Sequence, residues 1–191
     1  MNAVVRPSLD AVDVRDALET DPKTFREAMR HLAGGVNVIT AGLGDDRTGL
    51  TATSVSSLSA EPPTLIVCVN RSGSAWPVIQ RYGHFGVNVL GQEHRPIADR
   101  FAGRGGFKGV ERYGVGSWIS LTTGVSVLED ALAAFDCELE EAIERHSHAI
   151  LIGRVKAARF SEQRNALVYW HGAYADMILD PPTDPRAGEA G

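Results

Sequence analysis

The chain has 191 residues, of which 43% are hydrophobic and 23% charged, and its formal net charge is −5. This length and composition are typical of one folded domain and exclude a disordered or fibrous chain. The negative charge and the scattered arginines argue against a nucleic-acid partner, and no apolar stretch approaches the roughly 20 residues that cross a bilayer.

The two ends of the chain differ in composition from its middle. Residues 1–20 show weak periodicity and lack the apolar run of a signal peptide, while residues 181–191 contain proline, glycine and charge. We therefore expect a flexible N-terminal segment over 1–20, one domain over 21–180 and a flexible tail over 181–191. We also expect a cytoplasmic protein without a membrane partner.

The first elements of the domain are a helix and two β-like stretches. Asp21 and Pro22 form a cap and first-turn pair, and apolar residues then recur at helical spacing until Gly34 and Gly35. Residues 36–41 alternate and are β-branched, a Gly/Asp turn follows, and residues 48–59 form a second β-like stretch. This pattern predicts an amphipathic helix followed by a hairpin.

Strands dominate the rest of the chain. The further predicted strands are 64–69, 85–90, 125–128, 131–142, 149–160 and 167–174. Short helices are predicted only at 74–81 and 95–101, so helices do not alternate with strands. We therefore predict a closed antiparallel barrel rather than a doubly wound sheet.

Several common types of site are not indicated. The chain lacks a G-x-G-x-x-G turn, a Walker loop and an H-E-x-x-H helix. Cys68 and Cys137 each lie in an apolar run, which is typical of buried thiols rather than of disulfides or nucleophiles. His146 and His148 flank Ser147 on alternate positions, but a metal would need a third ligand, so no metal site is predicted.

Two segments have the chemistry of a binding site. Residues 49–59 place small hydroxyls along one strand edge, where slim side chains would let backbone N–H groups approach a flat polar ring; a solvent-facing strand is the alternative. Residues 70–77 end a strand in an asparagine, an arginine and two serines before a helix start. That combination favours a phosphate site, with an ordinary helix N-cap as the alternative.

The ordered motifs resemble a known family. They are FREAMRHLAGGVNVIT, GLTATSVSSLSAEPPTLIVCVNRSGSAW, FGVNVL, DRFAG, FDCELE, HSHAILIGRV and LVYWHGAYADM, spanning about 25–177. The chain resembles the flavin reductase-like domain family, the small reductase components of two-component flavin-dependent monooxygenases. Within that family it is similar to the 4-hydroxyphenylacetate monooxygenase reductases, the pyrimidine-pathway FMN reductases and the corrinoid reductases.

The resemblance implies a fold and a function. The fold is mainly β, a six-stranded antiparallel split β-barrel (the FMN-binding split barrel, a Greek key) with a few flanking helices, forming a homodimer. The function is an NAD(P)H:flavin oxidoreductase that reduces FMN or FAD, with NADH or NADPH as hydride donor, and supplies a larger oxygenase component. Two alternatives stay open: a flavin-bound reductase of a corrinoid or other acceptor, and a non-catalytic flavin- or haem-binding split barrel.

The resemblance also implies site residues, with His148 as the catalytic residue bordering the nicotinamide and Tyr174 as an aromatic near it. The isoalloxazine and ribityl chain would be lined by Thr51, Ala52, Thr53, Ser54, Val55, Ser56 and Ser57. The remaining flavin contacts would be Asn70, Arg71, Ser72 and Trp76 at the phosphate, Asn88, Val89 and Leu90 beside the ribityl, and Arg100 and Phe101 near the phosphate or adenylate. Ser147, Ala149, Ala173 and Ala175 depart from the family pattern at the nicotinamide edge.

Overall fold

The computed structural model of the protein describes residues 20–177. The predicted tail 181–191 and all but the last residue of the predicted segment 1–20 lie outside the described residues. Three α-helices are present in this range: α1 Pro22–Met29, α2 Ala75–Tyr82 and α3 Arg95–Phe101. The strands are β1 Gly34–Gly35, β2 Asn37–Ala41, β3 Thr48–Ala52, β4 Val55–Ala60, β5 Pro63–Asn70, β6 His84–Val89, β7 Trp118–Ser120, β8 Ser126–Leu128, β9 Ala133–Arg145, β10 His148–Phe160, β11 Leu167–Trp170 and β12 Ala173–Asp176.

The main sheet has seven antiparallel strands in the order β3-β2-β6-β9-β10-β5-β4. Its two edge strands, β3 and β4, are consecutive in the chain and joined only by Thr53 and Ser54. Such a short link requires the sheet to curl until its edges approach each other there. Among the described residues no β3–β4 ladder joins those edges, so the sheet has seven strands and is not closed. The predicted closed six-stranded barrel is therefore not shown, while the mainly β, antiparallel architecture is confirmed.

The predicted single stretch 48–59 is divided between the two edges. Its first half, β3, pairs with β2 as the predicted hairpin, with Asn37 opposite Ala52. Its second half pairs instead with β5, and this pairing begins at Ser54, whose carbonyl accepts from the Cys68 amide at 3.1 Å. Residues 50–59 contain neither glycine nor proline, so no turn residue marks the division, and the long-range pairing with β5 determines where the chain changes edges.

Two hydrophobic clusters cover opposite faces of β2. Ile39 packs with α2 and the strands around Phe85, while Val38 packs with α3 and Leu90. Because alternate residues of a strand point to opposite faces, both faces of β2 are covered and all its residues are buried. The sheet therefore separates an α2 side from an α3 side.

The helix α1 forms where predicted but contributes nothing to the core. Asp21 caps it by accepting from the amides of Lys23 and Thr24 at 2.9 and 3.1 Å. None of its residues is buried, and Phe25 is 57% exposed. The amphipathic face that the spacing predicts is therefore left at the surface of the described residues.

The two thiols should differ in reactivity. Cys137 is fully buried, and burial raises the pKa of its thiol to about 12, whereas Cys68 is partly exposed. Because the thiolate is the reactive form, Cys137 gains reactivity only at strongly alkaline pH. We expect iodoacetamide at pH 8 to modify Cys68 in the native protein and leave Cys137 protected until urea is added, as followed by peptide mass spectrometry. Equal rates in the native protein would contradict this, and Cys68→Ser provides the control.

Candidate functional site

The link between β3 and β4 combines exposed hydroxyls with two cavities. Thr53, Ser54, Ser56 and Ser57 are exposed, while Thr51 donates to the Ala98 carbonyl at 2.6 Å. Thr53 lines both a cavity of about 410 Å³ and a second one of about 230 Å³. The segment therefore offers small polar groups to a ligand at the point where the sheet is split.

The larger cavity has one polar and one apolar wall. Its hydroxyl groups come from Thr53, Thr64 and the serines of β4, and Asn37 adds an amide. Its apolar lining residues are Val55, Pro63, Leu65, Val89, Phe135 and Val155. A planar ring with polar edges is the kind of group that such a mixed lining accommodates.

A second polar site lies at the start of β3. We call it the basic cleft; its volume is about 460 Å³, and it is lined by Asp45, Asp46, Arg47, Thr48, Ser74, Val78, Lys108, Gly109 and Arg112. The hydroxyls of Thr48 and Ser74 lie 3.0 Å apart and hydrogen-bond to each other. Within residues 20–177, no carboxylate oxygen lies within 4 Å of the cationic nitrogens of Arg47, Lys108 or Arg112. The cleft thus has the donor set of a phosphate site.

Backbone contacts fix Arg112 in the basic cleft. Its Nη1 donates to the carbonyls of Phe101, at 3.1 Å, and Gly49, and its Nε donates to Phe107 at 3.3 Å. Burial lowers the pKa of the Arg112 guanidinium, but arginine stays charged at neutral pH. The positive charge is therefore held at the junction of β3, α3 and the following loop.

Tyrosine packing positions a second cation of the cleft. The Arg47 guanidinium lies 4.8 Å from the centroid of the Tyr113 ring, and its Nε donates to Gly44 at 2.8 Å. The buried Tyr113 hydroxyl donates to the Thr48 carbonyl at 2.6 Å. Sequence reasoning missed the three cations Arg47, Lys108 and Arg112, because they belong to no local motif. The local signal that could have found one of them is Arg47 next to Thr48, directly before the hydroxyl-rich stretch.

The structure brings the predicted residues Asn70, Arg71, Ser72 and His148 together at the far end of β5. His148 lies opposite Asn70 in the β10–β5 ladder and is exposed, with its Nδ1 2.8 Å from the Ser147 hydroxyl. The Asn70 side chain accepts from the amide and hydroxyl of Ser72 at 2.9 and 2.8 Å. These contacts form a compact polar turn beside the β9–β10 connection.

Arg71 is occupied by protein groups. Its guanidinium is ion-paired with Glu144 and donates to the His146 carbonyl at 3.0 Å, and its amide donates to Ser147 at 2.9 Å. It therefore fastens the turn that carries His148. Because Glu144 compensates the charge of Arg71, whereas the cations of the basic cleft have no ion pair among the described residues, its predicted place at the phosphate has less structural support than the basic cleft.

Five other predicted flavin contacts have buried or occupied side chains. Trp76, Leu90 and Phe101 belong to the two hydrophobic clusters, with 7%, 0% and 1% of their surface exposed. Asn88 is fully buried: its Nδ2 donates to Val38 at 3.0 Å and its Oδ1 accepts from Leu128 at 2.6 Å. The Arg100 guanidinium stacks 3.6 Å from the Phe107 ring centroid. The side chains of the first four are structural here, so any ligand contact would have to come from their main chains. Arg100 differs, because its Nε is buried without a hydrogen-bond partner among the described residues.

Tyr174 lies away from His148. It lines the smaller cavity with Thr53, Tyr169 and Arg104, and burial raises the pKa of its hydroxyl. His148 lines none of the cavities described here. One protomer, as described, therefore does not bring the two predicted nicotinamide contacts into one pocket.

Two further observations bear on the class of site. Within residues 20–177, no three His, Cys, Asp or Glu side chains are grouped so as to hold a metal ion. In the same range, no helix has the length and apolarity that a membrane span requires.

The chain is similar to several known proteins. A curated relative, the FMN reductase (NADH) RutF 1 of Methylorubrum extorquens, is 40% identical over 177 residues, covering 91% of this chain and 84% of the relative. The solved styrene monooxygenase flavin reductase of Pseudomonas putida S12 superposes with a TM-score of 0.73 at 28% identity, covering 83% of this chain and 99% of that one. BorF, the flavin reductase component of a bacterial two-component tryptophan halogenase, gives a TM-score of 0.76 at 31% identity, covering 84% and 100%.

The model of the flavin reductase like domain matches residues 29–177, which include every predicted site residue of this chain. The protein belongs to the flavin reductase-like domain family.

Proposed function

We infer that the protein is an NADH-dependent flavin reductase that reduces FMN. The observation that carries this conclusion is the hydroxyl-rich segment Thr51–Ser57 at the split of the sheet, in a chain 40% identical to an NADH-dependent FMN reductase. Within this segment Thr53, Ser54, Ser56 and Ser57 are exposed. When bound, FMN accepts a hydride from the nicotinamide. The residues of this chain then need only hold the two rings in contact.

The residues present fit FMN at both of its ends. Thr53 of the β3–β4 link and Ser56 and Ser57 of β4 offer their hydroxyls to the polar edge of the ring. The cations of the basic cleft lack carboxylate partners among the described residues, and a phosphate would provide their counter-charge. We therefore propose that the ring lies at the link and the phosphate in the basic cleft.

The reduced flavin is proposed to serve a partner oxygenase. The two solved relatives named above are reductases of a styrene monooxygenase and of a tryptophan halogenase system. The larger cavity is open to solvent on the side of β4, where residues 56–60 are exposed. A flavin bound there could therefore leave after reduction. A homodimer is also proposed, since a second protomer could cover the exposed serines of β4 and bring Tyr174 nearer to the His148 of its partner.

Steady-state oxidation of NADH with added flavin tests this function. Turnover that saturates with free FMN is the expected result. Tightly bound flavin with no dependence on added FMN would favour a reductase of a corrinoid or another acceptor. Flavin binding without NADH oxidation would favour a non-catalytic flavin-binding protein and contradict the proposal.

His148 is proposed to border the nicotinamide, since it is exposed at the end of β10 and outside the basic cleft. We expect His148→Ala to lower kcat/KM for NADH about tenfold, or ~1.4 kcal/mol of transition-state stabilisation, while the Kd for FMN changes less than twofold. His146→Asn is the matched control, because His146 lies on the same turn with a φ of 50° that asparagine tolerates. Equal losses of FMN affinity and NADH turnover in His148→Ala would contradict the assignment.

A further inference from the structure

Asn37 is a polar residue in an otherwise apolar part of the interior. Only 5% of its surface is exposed, and alternation along β2 puts its side chain on the same face as Ile39, which belongs to the hydrophobic cluster around Phe85. On that face Asn37 lines the larger cavity together with Leu65 and Phe135 of the same cluster. Burying an amide costs free energy unless its polar atoms are hydrogen-bonded, so the partners of Asn37 decide its role.

The two polar atoms of the Asn37 side chain differ in their partners. Nδ2 donates to the Gly35 carbonyl at 2.9 Å and to the Ala52 carbonyl at 3.4 Å. Because both partners are acceptors, only the NH₂ group can face them, and this fixes the direction of Oδ1. Among the described residues Oδ1 has no hydrogen-bond donor, and it is not sealed from solvent. The larger cavity therefore contains a fixed acceptor without a partner.

The hydroxyl groups of this cavity also differ in their partners. Those of Ser59 and Thr64 already donate to main-chain carbonyls, at 3.0 and 2.9 Å. Those of Thr53 and Ser57 have no hydrogen bond within residues 20–177. A hydroxyl can donate to a ligand as well as accept from it. The larger cavity thus offers a ligand the Asn37 acceptor and two free hydroxyl donors.

These groups match one edge of the oxidised isoalloxazine ring. That edge is a cyclic imide, in which a single N–H, at N3, lies between the carbonyls at C2 and C4. The Asn37 Oδ1 suits the N–H, and the free hydroxyls suit the carbonyls. The opposite, dimethylbenzene edge of the ring has no polar atom and would leave Oδ1 buried without a donor. The donor set therefore favours a ring that enters the cavity with its imide edge first.

We propose that Asn37 is a flavin-binding residue that orients the ring by accepting a hydrogen bond from its N3–H. This inference rests on the flavin-reductase function proposed above and adds to it the direction in which the ring lies. It does not depend on where the phosphate binds, because all the groups involved line the larger cavity.

The first measurement is the Kd for FMN, by quenching of flavin fluorescence, with the full chain and without NADH. Asn37→Ala should weaken FMN about fivefold, the effect of losing one neutral hydrogen bond. Asn165→Ala is the matched control, because it removes a half-buried amide that donates to Glu93 outside the cavity, and it should keep the Kd within about twofold. Unchanged FMN affinity in a folded Asn37→Ala protein would overturn the inference.

A second measurement separates contact with the ring from a purely structural role of Asn37. FMN that carries an NMR-active nitrogen isotope at N3 is bound to the wild-type protein. Its N3 proton should resonate downfield of that in free FMN and exchange more slowly with water. Both changes should disappear in Asn37→Ala and persist in Asn165→Ala. Because the wild-type spectrum needs no variant, an N3 proton that exchanges as fast as in free FMN would overturn the inference even if Asn37→Ala does not fold.

The outcomes also distinguish this inference from the proposed function. A protected N3 proton without oxidation of NADH would overturn the proposed function and support the contact with Asn37. Oxidation of NADH that saturates with FMN, with an unprotected N3 proton, would support the function and overturn the inference. Failure to bind FMN would overturn both.

Discussion

Asn88→Ala should lower the free energy of unfolding by about 3 kcal/mol. Its side-chain amide lies within the sheet, where Nδ2 donates to Val38 and Oδ1 accepts from Leu128. Alanine would leave a buried carbonyl and a buried N–H without partners, and each unsatisfied group costs about 1–3 kcal/mol. Urea denaturation followed by tryptophan fluorescence measures the change.

Asn165→Ala provides the control for this prediction. Asn165 is half-buried, and its Nδ2 donates to the exposed carboxylate of Glu93 at 2.8 Å. Its removal should cost less than ~1 kcal/mol, because water can replace that partner. An Asn88→Ala protein of wild-type stability that has lost FMN affinity would instead support the ribityl contact that the family resemblance implies.

Arg112→Ala should weaken FMN binding by roughly 10–100-fold. A charge-assisted hydrogen bond to a phosphate is worth about 1.5–3 kcal/mol, and Arg112 is the most firmly held cation of the basic cleft. The same change removes bonds to three carbonyls and should also lower stability. Binding therefore has to be measured by fluorescence quenching at a temperature where the variant is fully folded.

Two further variants separate binding from folding. Lys108→Ala removes an exposed charge of the cleft and should weaken FMN about fivefold at unchanged unfolding free energy. Arg71→Ala should leave the Kd for FMN within twofold, because its guanidinium is bound to Glu144 and His146. A large loss of FMN affinity in Arg71→Ala, with the affinity of Lys108→Ala unchanged, would indicate that residues 70–72 bind the phosphate. That result would contradict the phosphate site that we propose in the basic cleft.

The strands that the sequence predicts correctly are those with a strong local pattern. Alternation in β2 and apolar runs in β5 and β6 give their positions to within one or two residues. The predicted strand 167–174 is a hairpin, since His171 and Gly172 adopt φ values of 51° and 83° and reverse the chain. A Gly two residues before Tyr174 is the local signal of that turn.

One part of the candidate site is likewise predictable from the local sequence, and another part is not. The hydroxyl-rich segment Thr51–Ser57 is found from the sequence because its composition is unusual over consecutive residues. The basic cleft is not found, since Arg47 and Lys108 come from distant segments that meet only in the folded chain. Asn88 differs from both: the family resemblance implies a ligand contact there, whereas in this structure its side-chain amide is hydrogen-bonded to Val38 and Leu128.

The sequence by itself determined the antiparallel β class, the family and the hydroxyl-rich segment Thr51–Ser57 that we propose as the flavin contact, because strand alternation and consecutive small hydroxyls are local properties. Only the tertiary structure decided that the sheet has seven strands and stays split at Thr53–Ser54. It also decided which cationic side chains have no carboxylate partner among the described residues and are therefore proposed to bind a phosphate. The strand order and the position of these cations both depend on contacts between residues far apart in the chain. The energy of such a contact depends on both partners, so neither local sequence predicts it alone.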